Sequence, residues 1–334
     1  MRLSTASALF GALILSACTS VSAIDVLNVR PPSKEVTSSV RPMAEVRGAD
    51  AGFAVADPTQ EEENLASALT PPAAVTAPVV AATAVIAPVM GGAAAAIKNH
   101  QVIRHRFSDA KPINFGKVKP QDYAVHGVDV SRWQGEINWA KLRSQGANFV
   151  YIKATDGGDH LDPMFMKNWS GAHQAGLKRG AYHFFYWCRT AGEQADWFIR
   201  NVPKVEGALP PVIDVEYNGQ SRCKMRLSRK RVLEKMQVFM DKLEAHYGQR
   251  PVIYTAPDFY ADNLKGEFLD YPFWLRAVAQ HPSKVYPGRK WVFWQYSGSG
   301  LSQGVNEKID LNVFHGSPKQ WRDWLSGNTL VARR

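Results

Sequence analysis

Three kinds of residue are scarce in this 334-residue chain, and each scarcity narrows what it can be. There are only three cysteines, Cys18, Cys188 and Cys223, too few for a disulfide scaffold or a cluster of structural zinc sites. Aromatic residues are almost missing from the first 119 positions, where only Phe10, Phe53, Phe107 and Phe115 occur. Without them that stretch has little from which to build a core. Charge is absent between Glu63 and Lys98. Phosphate-binding chemistry also lacks its signature, since no Gly-x-x-x-x-Gly-Lys loop occurs, and no His-Glu-x-x-His helix is present. The histidines, among them His126, His160, His173 and His183, show no metal-ligand spacing.

The remainder carries the information. From Asp122 onward aromatic residues come densely, so the last 210 or so residues hold the core of one large domain. Formal net charge is +10, which suits an anionic polymer, nucleic acid or membrane surface, or simply solubility.

The opening "MRLSTASALFGALILSAC" has one Arg, a short apolar stretch and small residues before Cys18, the pattern of a secretory signal peptide over residues 1–17. "LSAC" resembles a bacterial lipobox, which implies lipidation at Cys18; the alternative is an ordinary signal peptide. Thr19, rather than Asp, points to the periplasmic face of the outer membrane, with a soluble periplasmic or secreted protein as the other possibility. Residues 18–121 read as a low-complexity Ala/Pro/Val linker. Their uncharged run is long enough to span a bilayer, but four prolines and Gly91-Gly92 favour an extended, disordered tether. An exported chain with Cys188 and Cys223 remaining suggests a disulfide between them, the alternative being two separate thiols.

Over residues 122–326 strand-like and helix-like segments alternate. "HGVDVSRW", "NFVYIKAT", "KRGAYHFFYW" and "PPVIDVEY" read as strands separated by helices, the longest starting after Ser228 and closing at Gly248. "RPVIYTA", "PFWLRAV", "KWVFWQYSG" and "KIDLNVF" follow with shorter connections. This α/β pattern predicts a modified (β/α) barrel, TIM-like, with irregular or missing late helices, and a C-terminal tail at 327–334.

Acids recur where such strands end. Asp129, Asp156, Asp214, Glu216 and Asp310 would gather at the C-terminal face of a barrel. Asp156, in the turn-like "TDGGD", reads as a cap or salt-bridge partner. Asp214 and Glu216 are two apart, so they share one face of a strand, about 6.5 Å between Cα atoms. Paired carboxyls raise one another's pKa, and a proton donor beside an anion is what glycosidic cleavage needs. Tyr182, Phe184, Tyr254, Trp274, Trp294 and Tyr296 offer flat faces for sugar rings or, equally, core.

"HGVDVSRWQGEINW", "YIKATDG", "GAYHFF", "LPPVIDVE", "VIYT", "WQYS" and "IDLNVF" together resemble glycoside hydrolase family 25, the lysozymes that are N-acetylmuramidases. The likeness covers about Tyr123 to Leu325. It implies hydrolysis of the β-1,4 bond from N-acetylmuramic acid to N-acetylglucosamine in peptidoglycan. On this resemblance Glu216 matches the proton donor and Asp214 the acid that assists the substrate N-acetyl group. Asp129 and Asp310 match further site acids, and Gln295 of "WQYS" joins the substrate-binding set. Arg276 stands where the family often has Ala, and would contact an anionic substrate group or pair with a nearby acid. The reading implies no cofactor, metal or nucleic acid, and a monomer acting on peptidoglycan. A non-catalytic wall-binding module, or a hydrolase of another N-acetylated glycan such as chitin, is the alternative.

Overall fold

The computed structural model describes residues 101–219, 221 and 223–327. The expectations for the signal peptide, Cys18, the linker up to residue 100 and the tail from 328 lie outside the described residues.

Eight strands close a barrel. They are β2 (His126–Val130), β3 (Phe149–Asp156), β5 (Lys178–Phe184), β6 (Val212–Val215), β7 (Val252–Thr255), β8 (Phe273–Arg276), β9 (Phe293–Leu301) and β10 (Ile309–Phe314). Neighbours pair in that order, and β10 closes the ring on β2. Two short strands lie outside it: β1 (Ser108–Asp109) on β9 and β4 (His160–Leu161) on β3.

The pairings from β2 through β9 are all parallel, which requires crossovers. Helices α1 (Trp139–Ser144), α2 (Phe165–Gln174), α3 (Ala191–Asn201) and α4 (Arg229–Tyr247) supply the first of them. In α4, Val232, Met236, Phe239, Met240 and Leu243 form one buried stripe, and Phe239 stacks on His183 of β5 at 4.9 Å. Truncating such a residue to Ala costs about 3–5 kcal/mol. Ser228 caps the start of α4 by accepting from the Arg231 amide, and Gly248 ends it in the left-handed region. Later crossovers shrink to single turns, at Pro257–Phe259 with Tyr260–Leu264, and at Pro282–Val285.

No helix separates β9 from β10. The short connection forces β10 to run antiparallel to both its neighbours, unlike the other strands. Asp310 therefore starts its strand instead of ending it, yet pairs directly with Asp129 and so still reaches the same rim.

Strand alternation sorts the core into two layers. Inside the barrel lie Phe149, Tyr151, Tyr182, Val212, Val252, Tyr254, Trp274, Phe293 and Phe314. Helix α5 (Pro318–Leu325) seals the far end, where Trp321 and Trp324 meet Phe293 and Phe314. Room for these rings comes from Gly127: a Cβ there would lie 2.5 Å from the Phe149 ring.

Residues 101–121, grouped with the linker on composition, lie against this domain. Ile103 exchanges two hydrogen bonds with the Asn148 side chain, at 2.8 and 2.9 Å. His105 stacks on His126 at 3.6 Å, and Phe115 meets Trp294 edge-on. Few aromatics suffice here because each one covers an apolar face that the barrel already exposes. Among the described residues no helix is long and apolar enough to cross a membrane.

Candidate active site

At the mouth, inward-facing side chains turn from aromatic to ionisable. Asp214 faces in from β6, beside Phe184 of β5 and Tyr254 of β7 in register. Glu216 follows two residues later at the lip, half-buried. The pair thus shares one face, as the spacing predicts.

The backbone under Glu216 is clamped from the β5 side. Trp187 donates its indole N–H to the Glu216 carbonyl at 2.7 Å. Asn218 accepts from the Trp187 amide at 3.0 Å and donates to the Phe185 carbonyl at 3.1 Å. Cys188 and Cys223 form a disulfide across the same gap, with Cα atoms 5.6 Å apart. Both sides of the lip are therefore held before any substrate arrives.

On the opposite wall Asp129 is held by two side-chain amides and hydrogen-bonds with Asp310. Its Oδ1 accepts from Gln295 Nε2 at 3.0 Å and from Asn312 Nδ2 at 2.7 Å. Gln295 in turn accepts from the Tyr254 hydroxyl at 2.9 Å, and Asn312 from the Trp274 indole at 2.8 Å. Lys153 pairs with Asp156 at 2.8 Å, in keeping with the salt-bridge reading of Asp156.

Burial raises the pKa of all three acids. Burial pushes Asp129 up to about 6, while hydrogen bonds with Asn312, Gln295 and Asp310 pull it back and the Glu216 charge adds a smaller rise. Burial, then the Glu216 charge, holds Asp214 well above the usual carboxylate range against the pull of Lys153. Glu216 is raised by burial too, and the Arg276 guanidinium and Tyr254 hydroxyl oppose that rise. With Asp310 the mouth holds four carboxyl groups, and the cations that act on Asp214 and Glu216 are Lys153 and Arg276. Like charges this close disfavour one another's ionised forms, which adds to the effect of burial. Asp214 Oδ1, Glu216 Oε1 and the Tyr182 hydroxyl meet no hydrogen-bond partner within the protein. Buried polar atoms in that condition mark where a polar ligand fits.

The expected aromatic platforms divide. Tyr182, Phe184, Tyr254 and Trp274 face inward, but all are nearly covered, and Trp274 stacks on Tyr151 beneath the acids. Trp294 is a correction. It is fully buried on the outer side of β9, between Phe293 and Gln295 which face in, and donates to the Ala277 carbonyl at 2.8 Å. The period of two puts it outside the barrel, where no sugar reaches it. Tyr296 faces out likewise and meets His126. Lys153, Asn218 and Asn312 also serve the mouth, and no sequence motif of its own marks Asn218. Lys153 and Asn312 lie within "YIKAT" and "IDLNVF", where strand alternation marks them as inward polar residues.

Arg276 faces the same mouth, one pairing from Gln295, and the charges of Glu216 and Asp310 act on it. The basic run after Cys223 is partly committed, Arg229 pairing with Glu267 at 2.7 Å and Arg231 with Glu234 at 3.1 Å. Among the described residues no group of three or more His, Cys, Asp or Glu is arranged to hold a metal ion.

A closed barrel with paired carboxyls at its mouth suits acid-assisted cleavage of a glycosidic bond. Comparison with known proteins makes this specific. The sequence model of Glycosyl hydrolases family 25 matches residues 128–305, and the chain belongs to that family. It is 38% identical over 213 residues to protein YegX of Escherichia coli K12, covering 62% of this chain and 76% of that one. It is 36% identical over 201 residues to Lysozyme M1 of Streptomyces globisporus, covering 58% and 68% respectively. Among solved structures, a family 25 glycosyl hydrolase from Bacillus anthracis superposes with a TM-score of 0.59 at 37% identity, over 65% of this chain and 98% of that one. The protein is therefore a glycoside hydrolase of the lysozyme family.

Proposed function

We propose that the chain is an N-acetylmuramidase that cleaves the β-1,4 bond between N-acetylmuramic acid and N-acetylglucosamine of peptidoglycan. One observation carries this reading: Asp214 and Glu216 share a face at the mouth, both raised in pKa, each with an oxygen no protein group satisfies.

Glu216, at the lip, gives its proton to the glycosidic oxygen. The bond from the anomeric carbon to that oxygen breaks, and its electron pair leaves with the oxygen. Asp214 assists the substrate N-acetyl group, whose carbonyl oxygen bonds to the anomeric carbon and gives an oxazoline-type intermediate. Water then attacks that carbon, Glu216 takes back a proton, and the acetamide is restored. Asp129 and Asp310 line the other wall and support the developing positive charge. A net charge of +10 draws the protein to an anionic wall. Export, lipidation at Cys18 and residence at the outer membrane complete the proposal: a wall hydrolase on a tether.

Digesting purified peptidoglycan and reading the new reducing ends by mass spectrometry tests it. Ends at N-acetylmuramic acid are expected. Ends at N-acetylglucosamine, or release only from chitin, would overturn the assignment. Binding without cleavage would reduce the protein to a wall-binding module.

A further inference from the structure

A cavity of about 290 Å³ opens between the loop after β6, from Tyr217 to Leu227, and the turn after β7. Its floor is aromatic. Trp187 stacks on Phe259 at 4.9 Å, and Tyr217, the residue after Glu216, meets Phe259 edge-on at 5.1 Å. One wall is basic, made by Arg226 and Arg229. Arg229 is committed to Glu267 and to the Asn263 and Lys265 carbonyls. Asp262 is engaged as well, accepting from the Tyr217 hydroxyl at 2.5 Å.

Arg226 differs from both. It is exposed, it pairs with no carboxylate among the described residues, and its guanidinium carbon lies 3.9 Å from the centre of the Tyr217 ring. A guanidinium seated over a ring keeps N–H groups to offer, and an Arg fork takes a carboxylate through two parallel hydrogen bonds. The loop bearing Arg226 is held in place, because Cys223 is bonded to Cys188 and its amide donates to Ser221 at 3.0 Å. The cavity thus combines an apolar floor for an aliphatic segment with one preset guanidinium for a carboxylate.

We propose that this cavity receives the acidic peptide branch carried by the muramic residue at the cleaved bond, with Arg226 pairing a peptide carboxylate. The inference rests on the muramidase reading, in which a glycan bound across Glu216 brings that branch to the neighbouring rim. Tyr217 spans the two sites, since its backbone follows the proton donor and its ring carries Arg226. Peptide-bearing strands are then preferred to bare ones, and the preference is a property of Arg226 rather than of the acids.

The test compares kcat/KM on two substrates, intact peptidoglycan strands and strands from which an amidase has removed the peptides, for the native protein and for Arg226→Ala and Arg226→Lys. The native protein is expected to favour peptide-bearing strands by about fivefold, as for one exposed charge-assisted pair. Arg226→Ala should abolish that preference while cleaving bare strands at the native rate. Arg226→Lys should retain part of it, keeping the charge but losing the fork. Equal rates on both substrates for the native protein would overturn the inference, as would equal slowing of both by Arg226→Ala. Bare strands expose the lactyl carboxylate of muramic acid, so a selective loss on bare strands would show that Arg226 reads that group instead. Failure of the native protein to cleave either substrate would overturn the muramidase reading itself, and this inference with it.

Discussion

Asp129→Asn should stabilise the folded chain at neutral to alkaline pH and much less at acid pH. Asp129 is only 4% exposed, and burial is the main reason its pKa rises from 3.8 to about 6. A carboxyl whose folded pKa lies above its unfolded value favours the folded state at low pH. That contribution is lost as pH rises through the folded pKa, here over about pH 4 to 6. Above the window, folding forces an anion into a site that already holds other carboxyls. The difference of about two pKa units, at about 1.4 kcal/mol each, corresponds to about 3 kcal/mol. Asn is nearly the same shape, and its Oδ1 still accepts from Gln295 and Asn312 as Asp129 does, while its Nδ2 can donate to Asp310. Denaturant unfolding of both proteins at about pH 4 and about pH 8 measures the effect through the midpoint at constant m. The variant should gain about 2–3 kcal/mol on the native protein between the two conditions. An equal difference at both pH values, or a variant relatively weaker at high pH, would refute the account of the site as a strained carboxyl cluster.

Glu216→Gln should fold normally and lose about 10²–10⁴-fold in wall hydrolysis, because the amide is a far weaker acid. Near-native turnover by a folded variant would remove Glu216 from its proposed role; Asp214→Asn should be crippled similarly. Reducing the Cys188–Cys223 bond opens a 35-residue separation and should cost about 3–4 kcal/mol in the chain-entropy account, seen as a lowered melting temperature. Two alkylatable thiols per molecule in protein purified from the periplasm would show that the bond does not form there. Cells fed an alkyne fatty acid should label the native protein and not Cys18→Ser; equal labelling, or none, would leave a soluble exported enzyme. Gly127→Ala should destabilise strongly and irrespective of pH, since its methyl group would sit 2.5 Å from the Phe149 ring, and unchanged thermal stability would contradict the packing described.

Much of this protein is legible in one dimension because the responsible periodicities are local. Alternation of two along "VIDVE" sets Asp214 and Glu216 on one face wherever the strand goes, and a helix with Ser228 before it and Gly248 after it caps itself. Membership of the lysozyme family is legible for the same reason, since its motifs are short strand ends. Other features required the closed ring. Trp294 reads as a candidate sugar platform until β9 is paired on both sides and its phase sends the ring outward. The network through Tyr254, Gln295, Asp129, Asn312 and Trp274 joins five strands, with partners up to 183 residues apart in sequence, so no local pattern announces it. The packing of residues 101–121 was hidden because composition reports what a segment brings, whereas docking depends on the surface it meets. The sequence alone therefore determines the strand and helix content, the acids and their faces. Only the tertiary structure decides which faces turn inward, how β10 reverses to bring Asp310 to Asp129, and how burial raises Asp129, Asp214 and Glu216, because burial and repulsion belong to the assembled ring.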